Sequence, residues 1–289
     1  MTLSAEIYYD RITGDVFGDA SGCTLEQWRP DSHARFAVHP HGFPIFDPAH
    51  ALASDEYESG DPYQAESASS FQSNRQELTL ELLSDLRRRR PLERIVDVGC
   101  GVGQITRLFA QAFPEAAVYG IDRSVQAIAR ATEAPSSIHF AAADAYDLPF
   151  APESMDAVIC NNIWEHVPDP LRLLGELSRV LRRGGGLIVS TPSRYRIENL
   201  ARVLQGKPVE HMSRHHVTEY SVGQMIELFR FGGFEVVGRR SRMVLPGRLT
   251  PKDRVLYWLV APALRTAVRL TESHHDLAST VFFLALKGA

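Results

Sequence analysis

Three acids and three glycines stand at spacings suited to a nucleotide-like ligand. The stretch Arg94-Ile-Val-Asp-Val-Gly-Cys-Gly-Val-Gly-Gln104 opens with an apolar β-branched run carrying one acid, Asp97. It then places glycines at 99, 101 and 103, ahead of a helical pattern from Ile105. This order predicts a buried strand, a tight turn and a helix start. Glycines let the chain turn with positive φ and let a ligand lie against bare backbone. The helix N-terminus offers unpaired N–H groups to a carboxylate or phosphate. Asp122 closes the next apolar run, Val118-Tyr-Gly-Ile-Asp122, 19 residues beyond Gly103. An acid at that place can accept both hydroxyls of a ribose, and Ser124 is the better cap for the helix that follows. Asp144, in Ala143-Asp-Ala-Tyr-Asp-Leu-Pro-Phe150, follows the third run and can accept from the exocyclic amine of adenine.

Two further stretches can handle a proton. In Glu165-His-Val-Pro-Asp-Pro170, His166 stands just past the fourth apolar run and is a candidate general base; a loop-shaping role is the bland alternative. In His211-Met-Ser-Arg-His-His-Val-Thr-Glu-Tyr-Ser221, His216 and Tyr220 are candidate catalytic residues. For His216 a hydrogen bond inside the fold is the alternative, and His211 or His215 can face an acceptor. Ser221 reads as a helix cap, and Arg194, Tyr195 and Arg196 are placed to line an acceptor pocket.

The elements that must hold these residues alternate. Strands are expected at Arg94–Val98, Ala117–Ile121, Ile138–Ala141, Met155–Cys160 and Gly186–Ser190. Helices are expected at Gln76–Arg90, Ile105–Phe113, Ser124–Thr132 and Pro170–Arg182, the last stopped by Gly184-Gly-Gly186. Such alternation means α/β architecture: a doubly wound, mostly parallel sheet with ligands at the carboxyl ends of its strands. A helix at Val222–Phe231, a strand at Phe234–Val237 and a final strand at Val281–Leu286 follow. Residues 1–74 read as an accessory or cap segment with a hairpin at Ile7–Phe17. Residues 75–289 read as the main domain, with acceptor-side inserts at 192–224 and 243–279 forming a helical cap.

Composition narrows the class. The chain has 289 residues, 44% of them hydrophobic, and a net charge of −4, so nucleic acid is not an expected partner. Arg87 to Arg90 read as the solvated basic end of a helix. Cys23, Cys100 and Cys160 are far apart, and Cys23 with His33, His39 and His41 fits no zinc motif. No apolar signal region opens the chain, and no apolar run nears the roughly 18 residues of a bilayer span. A cytoplasmic location is therefore expected. The apolar stretch Arg254–Leu270, broken by Pro262, suits core packing or a lid; contact with a membrane surface is the alternative.

With four motifs in order, the chain resembles the class I S-adenosylmethionine-dependent methyltransferases, in their Rossmann-like small-molecule group. The resemblance covers about residues 75–240 and the last strand, through Val96–Gly103, Gly120–Asp122, Ala143–Phe150 and Glu165–Pro170. It implies a seven-stranded sheet whose last strand is antiparallel. It implies S-adenosylmethionine as cofactor, released as S-adenosylhomocysteine. On that resemblance Gly99, Cys100, Gly101 and Gly103 turn around the methionine part, and Asp97 places its ammonium. Asp122 with Arg123 takes the ribose, Asp144 with Ala145 takes adenine, and Asn161 lies beside the methionine moiety. The expected activity is methylation of a small molecule, with oxygen preferred over nitrogen or carbon. Cofactor binding without turnover, or a lipid-like acceptor at a membrane, are the alternatives. Related quinone-biosynthesis O-methyltransferases carry a further acid three residues before the Glu-His pair and bind a metal there; this chain has Asn162, so no metal is expected. A nicotinamide oxidoreductase fits poorly, because its third glycine would stand at 104, where this chain has Gln104.

Overall fold

A computed structural model of the protein describes residue 8 and residues 22–24, 36–49, 70–243, 251–270 and 277–288. Short strands β1 (Gly22–Thr24), β2 (Phe36–Val38) and β3 (Pro44–Ile45) precede helix α1 (Ser70–Arg87). Strand and helix then alternate through β4 (Arg94–Val98), α2 (Gln104–Ala112), β5 (Ala117–Asp122), α3 (Val125–Thr132), β6 (His139–Ala142), β7 (Met155–Asn161), α4 (Pro170–Val180) and β8 (Leu181–Pro192). The chain continues through α5 (Ile197–Leu204), α6 (Val222–Phe231), β9 (Phe234–Arg242), α7 (Pro251–Val255), α8 (Ala261–Leu270) and β10 (Thr280–Lys287).

One sheet runs in the order β1-β2-β3-β6-β5-β4-β7-β8-β10-β9. The pairs β4–β5, β5–β6, β4–β7 and β7–β8 are parallel, and β10 is antiparallel to both β8 and β9. The strands read as continuous apolar runs because both faces are covered. Leu78, Leu82 and Leu86 of α1, Phe109 of α2 and Ile128 of α3 pack with Ile95, Ile159 and Leu284 on one face. Leu173 and Leu177 of α4 and Met225 and Phe229 of α6 pack with Val96, Val158 and Phe283 on the other. The sheet order reverses between β5 and β7 on either side of β4, and that is where a crevice opens at the strands' carboxyl ends.

The expected seven strands are β4 to β10; the sheet has ten among the described residues because the N-terminal segment adds three. Ile45 of β3 pairs with Ala142, and Phe46 N–H donates to Ala142 O at 2.8 Å. Without them β6 would leave an open ladder edge. Phe36, Ala37, Phe43 and Ile45 are buried there, and Tyr8 bridges to Phe150. The rest of the expected Ile7–Phe17 hairpin lies outside the described residues.

Three local expectations are corrected. Helix α4 ends at Val180, and Gly184 to Gly186 lie within β8. A Cβ on Gly186 would stand 2.3 Å from Leu86 Cδ2, so the glycine admits α1 onto the sheet. Arg90 is no solvated helix end: it lies past α1 and pairs with buried Asp156. Pro262 does not break the cap helix. A π-turn at Leu256–Val260 joins α7 to α8 just ahead of a residue with no N–H to give. Tyr257 and Ala261 of this cap pack with Ile197 and Leu277, while Trp258 and Leu259 are 67% and 69% exposed. No helix among the described residues is long and apolar enough to cross a membrane.

Asp156 fastens the sheet at the edge opposite the crevice. Its Oδ2 accepts from the N–H groups of Glu93 and Arg94, both at 3.0 Å, and its Oδ1 from Arg90 at 3.1 Å and Arg182 at 2.8 Å. Removing the acid takes the shared carboxylate from two guanidinium groups and leaves the Glu93 and Arg94 N–H groups without their acceptor. Asp156→Ala is expected to lower the unfolding free energy by about 3–5 kcal/mol, read by urea denaturation; a loss below 1 kcal/mol would count against this anchor.

Candidate active site

The turn after β4 is built for close approach. Gly99, Gly101 and Gly103 have φ of 75°, 55° and 73°, a region that favours glycine. Ile163 lies over Gly99, where a Cβ would stand 2.2 Å from its Cδ1. Gly99 and Cys100 donate to Ile121 O at 2.7 and 3.0 Å, which draws the turn against the end of β5. Gly101 N–H donates to Asp122 Oδ2 at 2.7 Å, and Ser124 N–H to Asp122 Oδ1 at 2.9 Å. Ser124 caps α3 by accepting from Ala127 N, as its spacing suggests. Gly103, the N-cap of α2, offers no side-chain cap, and Gln104 and Ile105 of the first turn line the crevice.

The crevice is a cleft of about 660 Å³, within the usual range for small-molecule sites. Asp97, Gly99, Cys100, Gly101, Asp122, Arg123, Asp144, Ala145 and Asn161 all line it. Gly103 stands behind the turn, where a Cβ would meet the Phe140 ring at 2.7 Å; its part is packing and turn shape.

The wall fits the cofactor that the resemblance implies. Asn161 donates to Thr79 at 3.0 Å, while its buried Oδ1 has no partner among the described residues, beside a carboxylate at Asp97. Those oxygens suit an ammonium. The uncapped α2 terminus suits a carboxylate. Asp122 keeps a lone pair on each oxygen for hydroxyls, and Asp144, with Oδ1 held by Tyr146 N–H at 2.9 Å, keeps Oδ2 for an amine.

Burial sets the protonation of these acids. Asp97 is pushed up to about 7 by desolvation, partly opposed by the Thr106 hydroxyl at 2.6 Å and by Arg75. Burial also raises Asp122, opposed by the N–H groups of Ser124, Gly101 and Arg123.

On the facing wall, Glu165, His166 and His216 come together, with one donor atom from each within 4.8 Å of the others. Burial pushes Glu165 up to about 7, opposed by its bond from Asn162. Burial and then His216 hold His166 below its ordinary value. His166 Nδ1 faces His215 O at 3.2 Å and His216 Nδ1 faces Glu219 Oε1 at 2.8 Å. A carbonyl and a carboxylate accept, so each Nδ1 is the donor in its contact.

Other expected residues lie elsewhere. Tyr220 is outside the cleft lining; its backbone pairs with Ser193, and Arg194 N–H donates to Tyr220 O at 3.0 Å. Arg194, Tyr195 and His211 are likewise absent from the wall, and Arg196 is buried in an ion pair with Glu219. Sequence spacing missed Arg75, which reaches the cleft from α1, and Met212 and Ser213, which reach it from the segment before α6. Glu219, three residues after His216, was visible as a partner only in its i,i+3 spacing.

The family model described as "Methyltransferase domain" matches residues 96–189. The trans-aconitate 2-methyltransferase of Azoarcus sp. (strain BH72) is 36% identical over 115 residues, covering 38% of this chain and 45% of the relative. That of Methylobacterium radiotolerans is 32% identical over 213 residues, covering 72% of this chain and 71% of the relative. The chain thus spans less than half the length of some curated relatives it matches. Among solved structures, a chain of the Haloferax volcanii complex with the Trm112 methyltransferase activator is 20% identical with a TM-score of 0.53, covering 82% of this chain and 100% of that one. That likeness concerns the fold.

The raised Asp97 gives cofactor binding a pH dependence. Below about 7 the free carboxyl is protonated and offers an ammonium no charge. Affinity for S-adenosylhomocysteine, measured by calorimetry, is expected to fall by close to tenfold per pH unit below that point and to level off above it. A flat wild-type profile from pH 5 to 8 would remove Asp97 from the ammonium site. Asp122→Ala, which also frees Gly101 N–H, is expected to weaken the same affinity at pH 8 by at least about tenfold.

Proposed function

Because this chain belongs to the class I S-adenosylmethionine-dependent methyltransferases, we propose that it methylates the hydroxyl of a small-molecule acceptor bound in the cleft. Bound S-adenosylmethionine supplies a methyl group already activated on a sulfonium sulfur. The protein's part is to align the acceptor and to provide for its proton. Asp97 and Asn161 take the ammonium, the Gly99–Gly101 turn and the start of α2 the carboxylate, Asp122 with Arg123 the ribose, and Asp144 with Ala145 the adenine.

The observation that carries the acceptor class is the pair of imidazoles, His166 and His216, on the cleft wall. A hydroxyl must lose a proton as it is methylated, and His166, held below its ordinary value by burial, suits a base at that place. A polycarboxylate such as trans-aconitate, named for the curated relatives, has no proton to lose at neutral pH. It would also meet buried Glu165 at this wall. This reading sets the acceptor apart from the one those relatives are named for.

A screen of hydroxyl and carboxylate acceptors, read as S-adenosylhomocysteine release, is expected to give turnover with hydroxyls. Turnover with carboxylates alone would sink the acceptor class, and binding with no turnover anywhere would favour a protein that holds the cofactor without chemistry. His166→Ala is expected to lower kcat about 10²–10⁴-fold while leaving cofactor affinity nearly unchanged. Unchanged turnover would take His166 out of the chemistry.

A further inference from the structure

The cap carries an apolar surface that the fold leaves uncovered. From Leu256 to Leu264 nine residues in a row are apolar, Leu-Tyr-Trp-Leu-Val-Ala-Pro-Ala-Leu. A helix that is apolar all round is ordinarily enclosed on every side. Here one side is enclosed. Tyr257 and Ala261 are buried with Ile197 and Leu277, and Leu256 and Leu264 pack on the same cluster. Val255, Trp258 and Leu259 are 53%, 67% and 69% exposed, and Pro262 and Ala263 beyond them are exposed as well. Helix α5, whose Ile197 and Leu200 belong to that cluster, adds exposed Val203 and Leu204. Of the eleven large apolar residues exposed among the described ones, six lie on these two packed helical stretches. Exposure concentrated in this way marks an interaction surface, whereas single scattered side chains do not.

Charge selects among the occupants. Residues 251–270 contain four cations, Lys252, Arg254, Arg265 and Arg269, against one acid, Asp253; the stretch is thus +3 in a chain whose net charge is −4. The cations stand before and after the apolar run, and Arg254 is exposed. A second copy would bring +3 against +3, so charge opposes self-association through this face. An anionic lipid surface is the complement: phosphates for the cations at the ends of the run and acyl chains for its middle. Tryptophan suits that boundary, with an apolar ring and one polar N–H. No helix among the described residues can cross a bilayer, so the contact is with its surface.

We propose that the cap docks the protein on an anionic lipid surface through Val255, Trp258 and Leu259. The sequence favours core packing or a lid for this stretch. In the fold one face packs on the core and the other is left for lipid. Docking rests on the exposure and charge of the cap and not on the hydroxyl-methylation reading above.

The test is co-sedimentation of the full chain with vesicles of phosphatidylcholine and phosphatidylglycerol in equal parts, set against phosphatidylcholine alone. Binding is expected to be at least about tenfold tighter on the mixed vesicles, and to weaken at least about tenfold between about 0.1 and about 0.5 M salt. Trp258→Asp and Leu259→Asp are each expected to weaken it at least about tenfold. Phe231→Asp, at an exposed apolar site on α6, is expected to leave it unchanged. S-adenosylhomocysteine affinity, measured on each variant, shows that the fold is retained. Insertion has its own readout: lipids brominated in their acyl chains are expected to quench wild-type tryptophan fluorescence, and Trp258→Phe to bind alike and lose the quenching. Absence of sedimentation by the wild type overturns the proposal. So does binding that Trp258→Asp and Leu259→Asp leave intact, or quenching that Trp258→Phe retains. Dimerisation abolished by Trp258→Asp, with no vesicle binding, would assign the face to a second copy instead.

Discussion

The carboxylate of Asp122 joins two pieces of backbone, the turn after β4 and the start of α3. One oxygen accepts from Gly101 in the turn after β4, and the other from Ser124 at the start of α3. With Gly99 and Cys100 bonded to Ile121 O, the glycine turn is fastened to the end of β5 at several points. A positive-φ turn of glycines is entropically loose by itself. Fixing it by a charged acceptor leaves a rigid rim, and the uncapped start of α2 and the orphan oxygen of Asn161 are placed relative to that rim.

Buried acids at the two ends of the sheet contrast. At the lower edge Asp156 meets two arginines and two N–H groups, so its charge is compensated and its work is mechanical. At the cleft, Asp97 and Glu165 accept from neutral partners, Thr106, Asn162 and Thr191, and burial pushes both up to about 7. Such incompletely compensated acids are kept where a ligand completes them. The Arg196–Glu219 ion pair serves a third purpose. It ties the irregular segment before α6 to Arg196, and Glu219 in turn meets the His216 ring.

Much of the fold was legible because strands buried on both faces must be apolar throughout. Val96, Val98, Ile121 and Ile159 could hardly be anything else. The N-terminal segment was not legible in this way: Pro44 and Ile45 complete an edge with a two-residue strand, too short to show a period. Gly186 misled for a related reason, since a glycine demanded by the close approach of Leu86 looks the same in sequence as one that ends a helix.

The sequence by itself determined the doubly wound sheet and the places on it of Asp97, Asp122 and Asp144, which line one cleft. Local spacing dictates these positions: Asp97 lies near the end of β4, Asp122 closes β5 and Asp144 comes two residues after β6. How the candidate residues on the opposite wall come together was decided by tertiary structure. His216 reaches Glu165 and His166 from a separate irregular segment, through an ion pair between Arg196 and Glu219 that spacing does not encode. The same packing excluded Arg194, Tyr195 and Tyr220 from the cleft wall and brought in Arg75 and Met212. Contacts between distant segments depend on how loops settle over a finished core, and no local pattern records that.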